Sequence, residues 1–417
     1  MRDFEPSPSG ARVIPEDPFV AVSEALSACR RVPGYRVCRR CIMDSTHAEI
    51  DFDREGICNF CRGYDQSVAG RALSPEAAKQ ALERALDDIR SRGKNRDYDC
   101  ILGVSGGVDS SYLSLRCKDW GVRPLLVQFD NGWNTELANN NIQALCDSLG
   151  LDLHTFVVDW PEFRDLQLAF LKAGVANVEA PSDHGIFACI YRTAVERQIP
   201  YLLSGVNAAT ESNCPIGERA AKVFSYGYRY DDLVQIRGIH RRFGTRSLKS
   251  YPTLGYWQRY WWDRSGRVRR FDPLNYMPYI KAEAIEELQA RTRWRPYVGK
   301  HFESVITRFH QSYILPVKFG MDKRRMHLSG LIWSGQITRA EAEQEITSAP
   351  CPPDLLQQDY QFVLKKLALK EHELREMMGT PPMDYTHYPN RLWLYTLHRN
   401  IMLRLAPLIR RLRNRKS

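Results

Sequence analysis

The chain has 417 residues, 43% hydrophobic and 26% charged, a balance that fits two or three globular domains and excludes a disordered, collagenous or membrane-embedded protein. No apolar stretch reaches the ~18 residues of a transmembrane helix, and the acidic, proline-bearing start lacks the apolar core of a secretory signal, so a cytoplasmic protein is expected. The net charge of +10 is concentrated: residues 237–270 hold ten basic residues against Asp263, residues 391–417 hold eight and no acid, and the remainder is net acidic.

Residues 1–34 read as a loosely held arm, rich in proline and charge without a sustained period. A cysteine module follows at 35–65, and a connecting helix at 66–96, where Ser74-Pro75-Glu76 supplies cap, first-turn proline and acid and Gly93 the stop. Apolar runs at 100–104, 124–129, 153–158 and 200–204 alternate with helical patterns near 109–119, 136–149 and 185–198. That rhythm predicts an α/β fold, a doubly wound parallel sheet over 97–235. Residues 236–275 are dense in arginine and aromatics. Residues 276–385 are mostly helical, with Thr338-Arg-Ala-Glu341 a capping box, and are expected to bind substrate. A basic amphipathic tail occupies 386–417.

Three motifs carry chemistry. Ser105-Gly106-Gly107-Val108-Asp109-Ser110-Ser111 lies between a strand and a helix, where glycines let backbone amides approach an anion and the helix N-terminus adds positive potential. It lacks the G-K-[ST] ending of a Walker loop. Cys38-x-x-Cys41 and Cys58-x-x-Cys61, sixteen residues apart, are spaced to close a tetrahedral thiolate cage. Four thiolates leave no open position, so the expected zinc is structural; the odd total of eleven cysteines also argues against a disulfide framework. The third motif is Lys300-His301-Phe302-Glu303, with Arg308, Lys318 and the run Lys323-Arg324-Arg325. It offers acid, base and cations for phosphate or carboxylate.

The first motif resembles the S-G-G-x-D-S signature of the PP-loop ATP pyrophosphatases, an adenine nucleotide alpha hydrolase-like fold. The resemblance implies that Ser105, Gly106, Gly107, Asp109, Ser110 and Ser111 hold the pyrophosphate half of ATP, with Asp109 near Mg2+. The strand ends at Phe129-Asp130-Asn131 and at Gly205-Val206-Asn207 are the expected adenosine-side loops. In their order, the cysteine pairs flanking Asp51-Phe-Asp, the PP-loop, Leu203-Ser-Gly-Val-Asn207, Pro273-Leu-Asn-Tyr276, Lys300-His-x-Glu-Ser304 and Lys323-Arg-Arg-x-His-Leu-Ser329 resemble the N-acetyl sugar amidotransferases of lipopolysaccharide O-antigen and related sugar biosynthesis. That resemblance implies adenylation of an acetamido oxygen on a nucleotide-linked sugar, with AMP and pyrophosphate released. Ammonia then gives an acetamidino sugar. Asp109, Lys300, His301 and Glu303 are the catalytic candidates, and Arg308, Lys318, Lys323, Arg324 and Arg325 the substrate-binding ones.

No cysteine sits at the chain start or in a nucleophile-elbow setting, so a built-in glutaminase is not expected. The resemblance implies a separate glutaminase subunit and a cyclase-like ammonia-channel subunit. Two other readings compete: a PP-loop tRNA sulfurtransferase, supported by the seven aromatics among the basic residues of 237–270, and a zinc-bearing nucleotide-binding scaffold. The net-acidic remainder weighs against nucleic acid. In the tail, Ile401, Leu405, Leu408, Ile409 and Leu412 recur at helical spacing beside Arg404, Arg410, Arg411, Arg413, Arg415 and Lys416. That pattern fits a helix packed on the body, an anionic membrane surface or a partner subunit, and the resemblance to the lipopolysaccharide family implies peripheral contact with the anionic inner membrane.

Overall fold

The computed structural model describes residues 12–401 except 48–49, 68–72, 209, 211–230 and 399. Five strands, β1 (Cys100–Gly103), β2 (Pro124–Asp130), β3 (Leu153–Val157), β4 (Tyr201–Leu203) and β5 (Arg269–Phe271), form one sheet in the order β3-β2-β1-β4-β5. Every pairing is parallel. Side chains alternate between the two faces: Ile101, Leu125, Val127 and Leu202 join one core, and Cys100, Leu102, Leu126 and Leu203 join the other. Burial on both faces explains why these strands read as unbroken apolar runs.

Helices Pro75–Gly93, Val108–Asp119, Glu136–Leu149 and Lys281–Arg291 contribute to the second core, and helices Trp160–Ala173, Ala180–Glu196 and Leu233–Phe243 to the first. Helix Pro75–Gly93 begins as expected, with Ser74 Oγ accepting from the Ala77 amide at 3.2 Å. The expected loose arm instead contains helix Pro18–Arg30, which is capped by Asp17 and buries Ala21 and Val22 in the first core. Helix Trp160–Ala173 and strand β5 were not anticipated. The former carries its own start signal, an Asp159 cap and a first-turn proline. The latter hides because its exposed arginines, Arg269 and Arg270, resemble a loop. β5 thus draws the sheet past residue 235 into the basic aromatic segment.

The strand order reverses between β1 and β4, so the loops leaving their carboxyl ends diverge and open a crevice there. The C-terminal helices, from Val305 to Gly379, pack over that end of the first core. They bring the cysteine module with them.

Candidate active site

After β1 the chain turns through Ser105-Gly106-Gly107 into helix Val108–Asp119, with Gly107 as its cap. Gly106 has φ +79°, and a Cβ there would lie 2.6 Å from the Ala138 carbonyl oxygen, so the turn requires glycine. The Gly106 carbonyl accepts hydrogen bonds from Trp294 Nε1 at 2.9 Å and Tyr297 Oη at 3.1 Å. A planar trans peptide anchored by its carbonyl directs the next N–H to the opposite side. The Gly107 amide accordingly turns away from those donors, and Ser105 Oγ accepts from it at 3.3 Å.

The loop after β4 packs directly on this turn, since a Cβ on Gly205 would fall 2.8 Å from the backbone carbon of Asp109. Asn207 Nδ2 at 3.2 Å, Thr210 Oγ1 at 3.3 Å and the Tyr279 hydroxyl all donate to Asp109 Oδ1. These three neutral donors fix the orientation of the carboxylate, whose oxygen chemistry fits a Mg2+ ligand. Lys300 Nζ donates to the Thr210 carbonyl, linking the opposite wall to the same loop.

Between the walls lies a cavity of about 880 Å3, lined by Ser105, Gly107, Asp109, Ser110 and Gly205 on one side and by Lys300, His301, Glu303, Lys323, Arg324 and His327 on the other. Thr135 donates its amide to the Glu303 carbonyl at 2.9 Å, and Val305 to that of Trp133 at 2.8 Å. This pins the third motif to the loop after β2. The Glu303 carboxylate hangs over the PP-loop, 3.1 Å from where a Gly107 Cβ would be. His301 has φ +62°, which costs a residue with a side chain about 1–2 kcal/mol. It holds Nδ1 3.5 Å from Glu303 Oε1 and its ring 5.4 Å from that of His327. Burial, then the charges of Lys300 and Lys323, push the His327 pKa well below its usual value, so this imidazole is neutral.

The four cysteines form a second centre. All are fully buried, with Sγ separations of 3.8 Å (Cys38 to Cys61), 3.7 Å (Cys41 to Cys58) and 3.6 Å (Cys58 to Cys61). A tetrahedron with Zn–S bonds of about 2.3 Å has edges of about 3.8 Å, so the donor set fits zinc. His47 stays outside this set and packs edge-on against Phe60. The module is latched to helix Arg324–Trp333: Trp333 Nε1 donates to Cys61 Sγ at 3.1 Å, Arg325 Nη1 donates to the Ile42 carbonyl at 2.7 Å, and Arg325 Nε pairs with buried Asp44 at 2.7 Å. The same helix presents His327 to the cavity.

Residues 303–401 match a family model described as "LPS biosynthesis protein WbpG-like, C-terminal domain". Two GMP synthases described as glutamine-hydrolyzing, from two strains of Thermus thermophilus, are 28% and 27% identical over 249 residues, 60% of this chain and 41% of theirs. The chain therefore spans about two fifths of the curated relatives it matches. A solved NMN synthetase from Francisella tularensis aligns with 72% of this chain and 98% of its own at 13% identity and a TM-score of 0.30. Residues 303–401 are thus similar to a WbpG-like C-terminal domain. The matched region begins at Glu303, at the cavity wall facing the PP-loop.

Several anticipated residues lie elsewhere. Arg308 makes a buried two-pronged pair with Asp359, at 2.6 and 2.7 Å. Lys318 Nζ donates to the Met377 and Thr380 carbonyls at the end of helix Glu371–Gly379, and Arg325 latches the cysteine module. Arg324 borders the cavity, yet its guanidinium binds Asp322 and the Ser348 carbonyl. These side chains bind WbpG-like helices together because each long cation satisfies carbonyls or a carboxylate that burial would otherwise leave open. Ser111 is fully buried within helix Val108–Asp119, and Phe129 stacks on Phe156 in the core. Asn131 bonds to Ser182, and Asp130 borders a separate cleft with Trp160. The tail's basic residues from Arg404 onward lie outside the described residues.

Other residues were missed. Tyr279 and Thr210 hold Asp109, and no motif marks them. Glu179 caps helix Ala180–Glu196 and lies 2.7 Å from His310 Nδ1, while His310 Nε2 is 2.8 Å from the Ala176 carbonyl. Both ring nitrogens thus face acceptors. One turn on, Asp183 has its pKa raised to about 7 by burial and by the Glu179 carboxylate, with His301 and Lys323 opposing. A Glu-x-x-x-Asp spacing is visible in sequence but is common on solvated helices.

Proposed function

We propose that this protein is an ATP-dependent amidotransferase acting on the acetamido group of a nucleotide-linked N-acetyl sugar, with AMP and pyrophosphate as by-products. The observation that carries the reading is a single cavity walled by a glycine PP-loop on one side and by the first residues of a WbpG-like domain on the other. The relation to GMP synthases described as glutamine-hydrolyzing supports ATP use coupled to nitrogen transfer.

An acetamido carbon is a poor electrophile because the nitrogen lone pair is delocalised into the carbonyl. In the proposed reaction the amide oxygen attacks the α-phosphorus of ATP and pyrophosphate leaves. Ammonia then forms the new C–N bond, and the C–O bond breaks with its electron pair passing to AMP. The amides at Gly106-Gly107 and the start of helix Val108–Asp119 receive the phosphates. Asp109 would hold Mg2+, which supplies charge neutralisation for the leaving pyrophosphate. His301 and Glu303, at the cavity wall beside Gly107, are placed to take the proton that the added ammonia must lose. Lys323 provides a cation for the sugar's own phosphates. The nitrogen would come from a separate glutaminase through a cyclase-like subunit.

The test is incubation with ATP, Mg2+, ammonium and a panel of nucleotide-linked N-acetyl sugars, with mass spectrometry of the sugar and chromatography of the nucleotide. The expected result is exchange of one oxygen for NH and formation of AMP. Production of ADP, or AMP formation only with tRNA, would replace this reading.

A further inference from the structure

We infer that helix Tyr256–Arg264 and the helical residues 392–398 and 400–401 form a docking surface for an anionic lipid bilayer. The two segments meet along a seam: the Tyr256 and Tyr395 rings lie 5.2 Å apart edge to face, and Tyr256 Oη lies 2.6 Å from His398 Nδ1. Tyr256, Leu394 and Tyr395 are buried there. On either side of the seam large apolar groups face outward: Trp257 is 55% exposed, Trp261 64%, Trp393 66% and Leu397 49%.

Spacing makes this a design of the surface. Trp257, Tyr260 and Trp261 fall on one side of their helix, and Trp393, Leu397 and Ile401 recur every four residues on theirs. Tyr260 also reaches the seam, its ring 6.2 Å from that of His398, whereas Trp257, Trp261 and Trp393 turn outward. Tryptophan is among the most costly side chains to leave in water, and contiguous exposed apolar groups mark an interaction site.

The occupant follows from the charge and the kind of aromatic. Segment 237–270 has ten basic residues and one acid, and that acid, Asp263, accepts from Tyr191 at 3.1 Å and lies 3.9 Å from Arg259. Arg264, Arg267, Arg269 and Arg270 are exposed on the same helix or just beyond it. After Arg391 the chain holds seven further Arg or Lys and no acid. Tryptophan and tyrosine favour the boundary between headgroups and acyl chains, and flanking arginines bind anionic headgroups. A protein partner of ordinary composition would not require so unbalanced a charge. No helix among the described residues is long and apolar enough to cross a membrane, so attachment would be peripheral.

The test uses the full chain in flotation with vesicles of phosphatidylcholine alone or mixed with phosphatidylglycerol. Binding is expected with the mixed vesicles at low salt, with a blue shift of tryptophan emission and quenching by brominated acyl chains. The Trp257→Ala/Trp261→Ala/Trp393→Ala variant should bind about tenfold or more weakly, at an unchanged thermal midpoint, because these side chains are exposed. Absence of wild-type binding, equal binding by the variant, or binding without bromolipid quenching would overturn the inference. So would a loss of self-association in the variant with vesicle binding unaltered, which would assign the patch to a second copy of the chain. These readouts need no sugar substrate, so they stand apart from the proposed activity.

Discussion

Asp109 receives three hydrogen bonds on one oxygen, from Asn207, Thr210 and Tyr279, and this fixes a carboxylate at the mouth of the PP-loop before any ligand binds. Asp109→Asn keeps the shape but removes the charge. AMP formation should fall ~100-fold or more with an unchanged circular dichroism spectrum, and turnover within a factor of about two of wild type would remove Asp109 from the site. Glu179 and Asp183 invite a different measurement. Burial alone would raise the Glu179 pKa, but hydrogen bonding to His310 brings it below the ordinary carboxylate value. Its stabilising contribution is therefore present above that value and lost as pH falls through the lowered one. Glu179→Gln should cost about 3–5 kcal/mol at neutral pH, a gap that closes in acid. Asp183 behaves oppositely: its pKa is raised to about 7, so the folded state holds a proton that the unfolded state has released, and stability falls between about pH 4 and 7. Asp183→Asn should thus be more stable than wild type at pH 8 and indistinguishable from it near pH 3. A thermal midpoint that moves the same way at both pH values would contradict this assignment.

The cysteine module and helix Arg324–Trp333 behave as one element. Arg325 spans them with a carboxylate on one prong and a carbonyl on another, and Trp333 reaches a cysteine sulfur. Metal loss should therefore be felt at the cavity, through His327 and Lys323. Cys58→Ser is expected to lose its zinc, measured by plasma emission, and to lose sugar-dependent AMP formation with it. A zinc-free protein of full activity would show the module to be independent. At this scale the sequence was most informative where one residue type has one use. The four cysteines, the glycine turn and the Ser74 cap were legible because thiolate pairs, positive φ and side-chain capping leave local signatures. Arg308, Lys318 and Arg325 were misread for the complementary reason. A cation in a charged run looks the same whether it faces substrate or a distant helix end, and only packing tells which carbonyls need it. The same applies to Tyr279, whose partner Asp109 is 170 residues distant.

For the whole molecule, the question is nitrogen. In the proposed reaction ammonia would meet an adenylated substrate inside a cavity shared by two distant stretches of chain, and its source bears on whether this chain works alone. Among the described cysteines, Cys351 is the one that lines the cavity. Burial raises its thiol pKa to about 11, so it is protonated at neutral pH and ill suited to attack glutamine. Cys38, Cys41, Cys58 and Cys61 are enclosed in their own module, and Cys100, Cys117 and Cys189 are buried in the body. The purified chain should accordingly make the amidino product with ammonium salts and none with glutamine. Because more of the reactive nucleophile is present as NH3 at higher pH, the rate at fixed total ammonium should rise with pH across the neutral range. Alkylation of exposed thiols should leave that rate within about twofold. Glutamine-driven turnover by the isolated chain, abolished by Cys351→Ser, would place a glutaminase inside this cavity and dispense with the second subunit.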